Sequence, residues 1–354
     1  MTELMNNSRS VQRRRPTIKD IAARANVSSW TVSQVLRGQT GSAFSQATRD
    51  RIHAIAQEID YRPNLAAVAL NTSKTALVEV WVCTAIEYSP FSGWIFHTLQ
   101  KVAAQHGYRC IAENIPMDQS WRDNDLSLQW PVDGIIAIDS GGPVRGHLKA
   151  HPNDTTPIVN MGAGSGTETD RVYIDLGPGY RAACQHLLEQ NCRRVAYLGR
   201  LPEDVRWRAY EQVMTEAGRP VEVILANDDT TPCAYETFRN YVREHGAPDG
   251  LVCHNDSTAL GAFGAACALG LSIPSDIAFV GCDGLPDTLY NASPLSTVQL
   301  DAQEYCELGW QMLLSRMEDP NLPKREWIVT PELVVRGSSQ RLWKPSVIRE
   351  RSRP

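Results

Sequence analysis

Apolar residues recur at helical spacing in three short stretches near the amino terminus. Ile18, Ile21, Ala22 and Ala25 share one face. Val32, Val35 and Leu36 make a second set, and Ile52, Ile55, Ala56 and Ile59 a third. Thr17 and Ser28 stand where helix caps belong, and Asp20 follows Thr17 by three positions, favouring the positive end of the first helix. Asn26 takes the turn between the first two helices, and Asn tolerates the left-handed conformation better than most residues. A third helix is expected from about Ser45. The pattern predicts an all-α head over residues 17–63.

From Leu77 onward the period changes. Short apolar runs at 77–82, 108–112, 134–138, 158–159, 194–198, 221–224, 250–253 and 277–280 predict buried strands. Stretches 94–106, 180–189, 205–217, 233–245, 258–269 and 302–315 predict helices between them. Such alternation implies parallel sheets covered on both faces, with ligands at the carboxyl ends of the strands. No apolar run approaches the roughly 18 residues of a spanning helix, and no apolar signal core opens the chain.

A chain of 354 residues, 42% hydrophobic, is long enough for two or three domains with sizeable cores. The net charge of −5 hides an asymmetry. Residues 1–72 hold ten basic side chains against five acidic ones, which leaves the head at +5 and the remaining chain at −10. A basic head on an acidic body suits a polyanion at one end. The nine cysteines are scattered, with no C-x-x-C pair. That argues against a metal or disulfide framework and for a reducing cytoplasm. No cofactor is expected.

Two short helices across a tight turn, followed by a third, suit the presentation of a helix to a DNA groove. The outward residues near the front of the second helix are Ser29, Trp30, Ser33 and Gln34. Gln34 can pair bidentately with adenine, Ser29 is adaptable, and Trp30 offers apolar contact to a thymine methyl. Thr17, Lys19, Ser28, Thr31 and Ser33 can serve phosphates, which set register without reading sequence. An ordinary three-helix bundle would show the same apolar pattern, but it gives no reason to expose Trp30 beside Ser and Thr. Residues 1–16, with Arg13-Arg14-Arg15, read as a disordered basic arm adding non-specific phosphate attraction.

Thr17-Ile18-Lys19-Asp20-Ile21-Ala22, Val27-Ser28-x-x-Thr31-Val32-Ser33 and Tyr61-x-Pro63-Asn64 resemble the head of LacI/GalR-type transcriptional regulators. Gln34 stands where that family usually has Arg, and Arg37 where it has Asn. The resemblance implies that residues 64–75 form a hinge helix on operator DNA, with Asn64 in the DNA contact and Leu70 driven into the minor groove. Val68 replaces a common Arg there.

The resemblance continues to about Arg336. Val132-Asp133-Gly134-Ile135-Ile136, Pro248-Asp249-Gly250 to Asn255-Asp256, Ala259-Leu260-Gly261, Ile273-Pro274-x-Asp276-Ile277 to Val280-Gly281-Cys282-Asp283 and Pro294-Leu295-Ser296-Thr297-Val298 fall in the family's order. The implied fold is an N-terminal all-α helix-turn-helix head plus an α/β, periplasmic-binding-protein-like body of two parallel-sheet subdomains. The body is expected over 76–336 and a tail over 337–354. Matching positions put Phe91, Trp94, Arg206, Asn255 and Asp283 in an effector cleft between the subdomains. There are departures. Gly162 stands by count where a carboxylate is common, Asp229 near where a stacking aromatic is common, Asn191-Cys192 for Gly-His, and Leu176 for Asn.

The resemblance implies a cytoplasmic, nucleoid-associated homodimer on a near-palindromic operator, probed by a small polar metabolite, a sugar or sugar derivative first. A phosphorylated or acidic metabolite stays open, as does loss of the effector response. The tail lacks a leucine heptad, which favours a dimer over a coiled-coil tetramer. The sign of control is not fixed, so an activator of the same fold stands beside a repressor. A sugar- or nucleoside-processing enzyme lacks support, because no P-loop, G-x-S-x-G elbow or H-E-x-x-H motif occurs. A solute-binding receptor is opposed by the basic head and the missing signal.

Overall fold

The computed structural model describes residues 14–36, 44–63, 69, 74–83, 89–115, 131–164, 168–200 and 204–341. The chain divides into two compact units, Met1–Thr75 and Ala76–Pro354. Asn64, Leu70, most of the expected arm and most of the tail lie outside the described residues.

The first unit holds helices α1 (Ile18–Ala25), α2 (Ser29–Leu36) and α3 (Gln46–Glu58). Their ends follow from local chemistry. The Thr17 amide and hydroxyl donate to the Asp20 carboxylate at 2.7 and 2.8 Å. Asn26 closes α1 with φ 51° and ψ 49°, the left-handed conformation that lets the chain turn at once into the next helix. The Ser28 hydroxyl accepts from the Thr31 amide at 3.0 Å, and Ser45 caps α3 by accepting from the Thr48 amide at 3.2 Å. Ile21, Ala22, Ala25, Val32, Val35, Ile52 and Ala56 make the core.

The second unit runs β1 (Leu77–Cys83), α4 (Pro90–Gln105), β2 (Arg109–Ile115), β3 (Gly134–Ile138), α5 (Gly141–Ala150), β4 (Ile158–Gly162) and β5 (Asp170–Ile174). It continues with α6 (Gly177–Glu189), β6 (Val195–Gly199), α7 (Val205–Glu216), β7 (Glu222–Leu225), α8 (Thr231–His245), β8 (Gly250–Cys253), α9 (Asp256–Ala268) and β9 (Ala278–Asp283). The last elements are β10 (Ser296–Gln299), α10 (Ala302–Glu318), β11 (Glu326–Val329) and β12 (Glu332–Val334).

These strands build two sheets. The first has the order β2-β1-β3-β4-β5-β11 and is parallel throughout. The second has the order β7-β6-β8-β9-β10-β12, parallel except for the antiparallel β12. Central strands β3, β4, β6 and β8 are buried along their whole length, which explains their apolar runs, broken only at Asn160 in β4. Among the described residues the chain passes between the sheets three times: after β5, after β10, and between β11 and β12. The α10 helix therefore packs back on the first sheet, with Trp310 fully buried against Tyr108 at a centroid distance of 5.4 Å.

Several elements were not expected from the sequence. Helix α5 contains Gly141, Gly142, Pro143 and Gly146, poor helix formers that give no helical signal; burial of Pro143, Val144 and His147 holds it helical. Strand β5 begins on a charge, Asp170, and alternates buried with half-buried residues, so no continuous apolar run marks it. Strands β10, β11 and β12 have only three or four residues each.

Candidate functional site

In the first unit, the outward side of α2 carries the residues selected from sequence. Trp30 is 63% exposed, and Ser28 and Ser29 are exposed with it. Thr31, Ser33 and Gln34 are half-buried. The Gln34 Oε1 is buried with no hydrogen-bond partner among the described residues. Ser28 and Thr31 hydroxyls pair at 2.8 Å. Lys19 is exposed on α1. The Thr17 hydroxyl proton is spent on Asp20, and this pairing, with the Thr17 amide, holds the Asp20 carboxyl below the ordinary carboxylate range. Capping is thus the role Thr17 has in this arrangement.

In the second unit, charged groups from the carboxyl ends of both sheets meet around Arg206, in the first turn of α7. The Asp204 carboxylate caps that helix, accepting from the Arg206 amide at 2.8 Å and from its guanidinium Nη1 at 3.0 Å. Burial works against the Arg206 charge; the acidic surroundings, Asp204 first, outweigh it and keep the guanidinium protonated. Nη1 also touches the His254 ring at Nε2, while Nε is buried without a partner among the described residues.

His254 follows β8. Its Nδ1 lies 3.0 Å from the Tyr197 hydroxyl, and its Nε2 lies 3.7 Å from Asp229 Oδ2. Arginine can only donate, so the ring nitrogen that takes the Nη1 hydrogen offers its lone pair; Nη1 lies closest to Nε2 and 3.3 Å from Nδ1. Burial first, then the positive charges of Arg206 and Arg200, push the imidazole well below its ordinary pKa. His254 is therefore neutral. Asp229 also meets Arg200 at 3.8 Å, and burial raises its carboxyl pKa. Its Oδ1 is buried and unpartnered among the described residues.

Asp283 ends β9 with φ 124°. Burial raises its carboxyl pKa, the neighbouring Asp256 charge adds to the rise, and Arg206 opposes it. Asp256 is fully buried; it accepts from the Gly284 and Leu285 amides at 2.9 and 2.8 Å and from the Thr297 hydroxyl at 2.7 Å. It fixes the turn that presents Asp283. Asn255 caps α9, accepting from the Thr258 amide at 2.7 Å, and its Nδ2 reaches the Asp229 carbonyl at 3.5 Å.

The first sheet contributes Asp139, immediately after β3. Burial raises its carboxyl pKa, and the Arg206 guanidinium and the Ala163 amide pull it back. Arg206 thus acts on carboxylates from both sheets. Gly162, with φ 150°, leaves open the space that Asp139 fills: a Cβ there would collide with Asp139 Oδ1. The end of the neighbouring strand β3 thus places a carboxylate, Asp139, beside Gly162.

Of the cleft residues selected from sequence, Arg206 and Asp283 are brought into one charge cluster, with Asn255 at its edge. Phe91 and Trp94 open α4 after β1, 6.5 Å apart and edge to face, half-buried against the main core. Nothing described links them to Arg206. Sequence reasoning did not select Asp139, Asp204, His254 or Tyr197. Asp139 and His254 were open to selection, since each directly follows a buried apolar run, where ligand groups of such sheets sit.

Comparison with known proteins matches residues 17–64 to the family described as bacterial regulatory proteins, lacI family. Residues 184–339 match a periplasmic binding protein-like domain. The HTH-type transcriptional repressor PurR of Glaesserella parasuis serovar 5 (strain SH0165) is 28% identical over 341 residues, covering 92% of this chain and 99% of that one. The HTH-type transcriptional repressor CytR of Escherichia coli (strain K12) is 27% identical over 338 residues, covering 92% and 97%. Among solved structures, the lac repressor dimer bound to operator and the anti-inducer ONPF superposes with a TM-score of 0.75 at 22% identity, covering 92% of this chain and 99% of that one.

Proposed function

We propose, from the premise that this chain belongs to the LacI/GalR family of transcriptional regulators, that it represses transcription as a homodimer on a near-palindromic operator under control of a small polar metabolite. The observation that carries the reading is the exposed front of α2. A 63% exposed Trp30 beside exposed Ser28 and Ser29 leaves most of a large apolar side chain outside the head's own packing. In this reading Ser29, Trp30 and Gln34 contact base edges. Lys19, Ser28, Thr31 and Ser33 contact phosphates, and Thr17 sets the α1 end that faces them. Asn64 and Leu70 belong to the hinge, with Leu70 as the minor-groove wedge. The macromolecular partner is duplex DNA, and no catalytic role is assigned.

The metabolite binds at the Arg206 cluster. Carboxylates of Asp139, Asp204, Asp229 and Asp283 surround that guanidinium, and burial raises the pKa of Asp139, Asp229 and Asp283. Such a site favours a ligand rich in hydrogen-bond donors, such as a polyol or sugar derivative, over a phosphorylated or acidic one. The ligand controls DNA binding only through its difference in affinity between two arrangements of the subdomains. As a DNA-binding regulator the protein works in the cytoplasm; no helix among the described residues is long and apolar enough to cross a membrane.

The test is operator selection from a random duplex pool, repeated with a panel of metabolites. Paired, inversely repeated half-sites are expected. Equal recovery of every duplex would overturn the proposal. On the selected site, Leu70→Ala should weaken binding at least tenfold in a gel-shift titration while metabolite binding, followed by calorimetry, is unchanged.

A further inference from the structure

In the first unit, the exposed Trp30 ring does not stand alone. Phe44 meets it edge to face, with ring centroids 5.9 Å apart and planes at 62°. Phe44 immediately precedes Ser45, the cap of α3. A residue in that place commonly packs on the fourth residue of its own helix. Here the fourth residue is Arg49, whose Nε and Nη2 both reach the Phe44 carbonyl oxygen at 3.4 Å. Arg49 thus fixes the backbone of Phe44, whose ring packs against the head's core and against Trp30.

We propose that Phe44 is a positioning residue that holds the Trp30 indole in one orientation, so that Trp30 reads the 5-methyl group of a thymine at one step of each half-site. The inference rests on α2 being the helix that enters the major groove. An exposed tryptophan free to rotate about two side-chain bonds would have to be ordered when DNA binds. Edge-on contact with a partly buried ring orders it beforehand. A thymine methyl is the only apolar group on the major-groove edges of the base pairs, so a fixed indole face selects it. Phe44 itself need not touch DNA to exert this effect.

The experiment compares selection from a random duplex pool by the full chain and by its Phe44→Ala, Phe44→Tyr and Trp30→Ala variants. The wild-type chain should give paired half-sites with thymine preferred at one position of each. Phe44→Ala should flatten that position alone, matching Trp30→Ala, while Phe44→Tyr, which keeps the ring, retains the preference. Replacing that thymine by uracil removes only the methyl group. It should cost the wild-type chain about fourfold in affinity, the factor expected for burying one such group, and should leave Phe44→Ala unaffected. Binding to a random duplex at low salt and the melting temperature report whether Phe44→Ala still folds; the Phe44→Tyr arm decides the question if it does not. An unchanged thymine preference in Phe44→Ala, or its loss in Phe44→Tyr, would overturn the inference alone. Equal flattening at all positions would assign Phe44 to packing and overturn it too. Failure of the wild-type chain to yield paired half-sites would instead overturn the proposed function, and this inference with it.

Discussion

Asp139 and Gly162 form a lock-and-space pair at the ends of adjacent strands. Gly162 has φ 150°, a conformation that side chains disfavour, and its missing Cβ is where Asp139 Oδ1 sits. Gly162→Ala should therefore cost about 1–3 kcal/mol of strain and also displace the Asp139 carboxylate. Urea unfolding would read the first effect and ligand titration the second. His254 makes a separate prediction, about pH. Its folded-state pKa lies well below the unfolded value of 6.5, so the folded chain binds fewer protons there. Stability from the neutral ring is present above pH 6.5 and is lost as pH falls. The stability difference between the wild-type chain and His254→Gln should shift against the wild type by up to about 1.4 kcal/mol per pH unit below that point. Urea unfolding at pH 7.5 and 5.5 checks it; a pH-independent difference would refute it. That Arg206, Asn255 and Asp283 sit at helix and strand ends was legible because each falls in a family motif; their part in ligand binding is the proposal above. The partnership of Asp139 with Gly162 was not, because it joins residues 23 positions apart on different strands and depends on a side chain that is absent.

At the level of elements, Asp170 ties three together. Its fully buried carboxylate at the start of β5 accepts from Arg316 of α10 at 2.8 Å, and from the amide and guanidinium of Arg325, just before β11, at 2.9 and 2.8 Å. Burial alone would raise this carboxyl; the arginine hydrogen bonds overcome that and hold it below its ordinary range. Asp170→Asn should leave two guanidinium groups without their counter-charge and cost about 3–5 kcal/mol, measured by urea unfolding. By contrast, Arg24→Ala breaks an exposed pair with Glu58 and should cost less than about 1 kcal/mol. The helices of the head and the central strands were readable because their burial is one-sided or complete, and each leaves a clear period. Helix α5 and strand β5 were not. One is held by tertiary burial against its own glycines, and the other by a distant ion cluster that local patterning cannot carry.

Across the whole molecule, the two sheets repeat one plan. Strand for strand, β3 of the first corresponds to β8 of the second and β4 to β9, so Asp139 occupies the place of His254, and Gly162 that of Cys282, one residue before Asp283. In the proposed reading, the groups around Arg206 that meet the ligand come from corresponding strand ends of both sheets, the arrangement through which one ligand would bias their relative angle. The α/β class and the basic head were legible from periodicity and charge. The return of α10 and β11 to the first sheet was not, because a helix and a short strand carry no local mark of which sheet they join. That return bears on synthesis. The early lobe lacks its covering helix and its outer strand until residues 302–329 leave the ribosome, so most of the chain must be made before either half can close. Nascent chains stalled with about 300 residues exposed should therefore remain open to protease throughout the amino-terminal lobe, sheltered only once the last strands emerge.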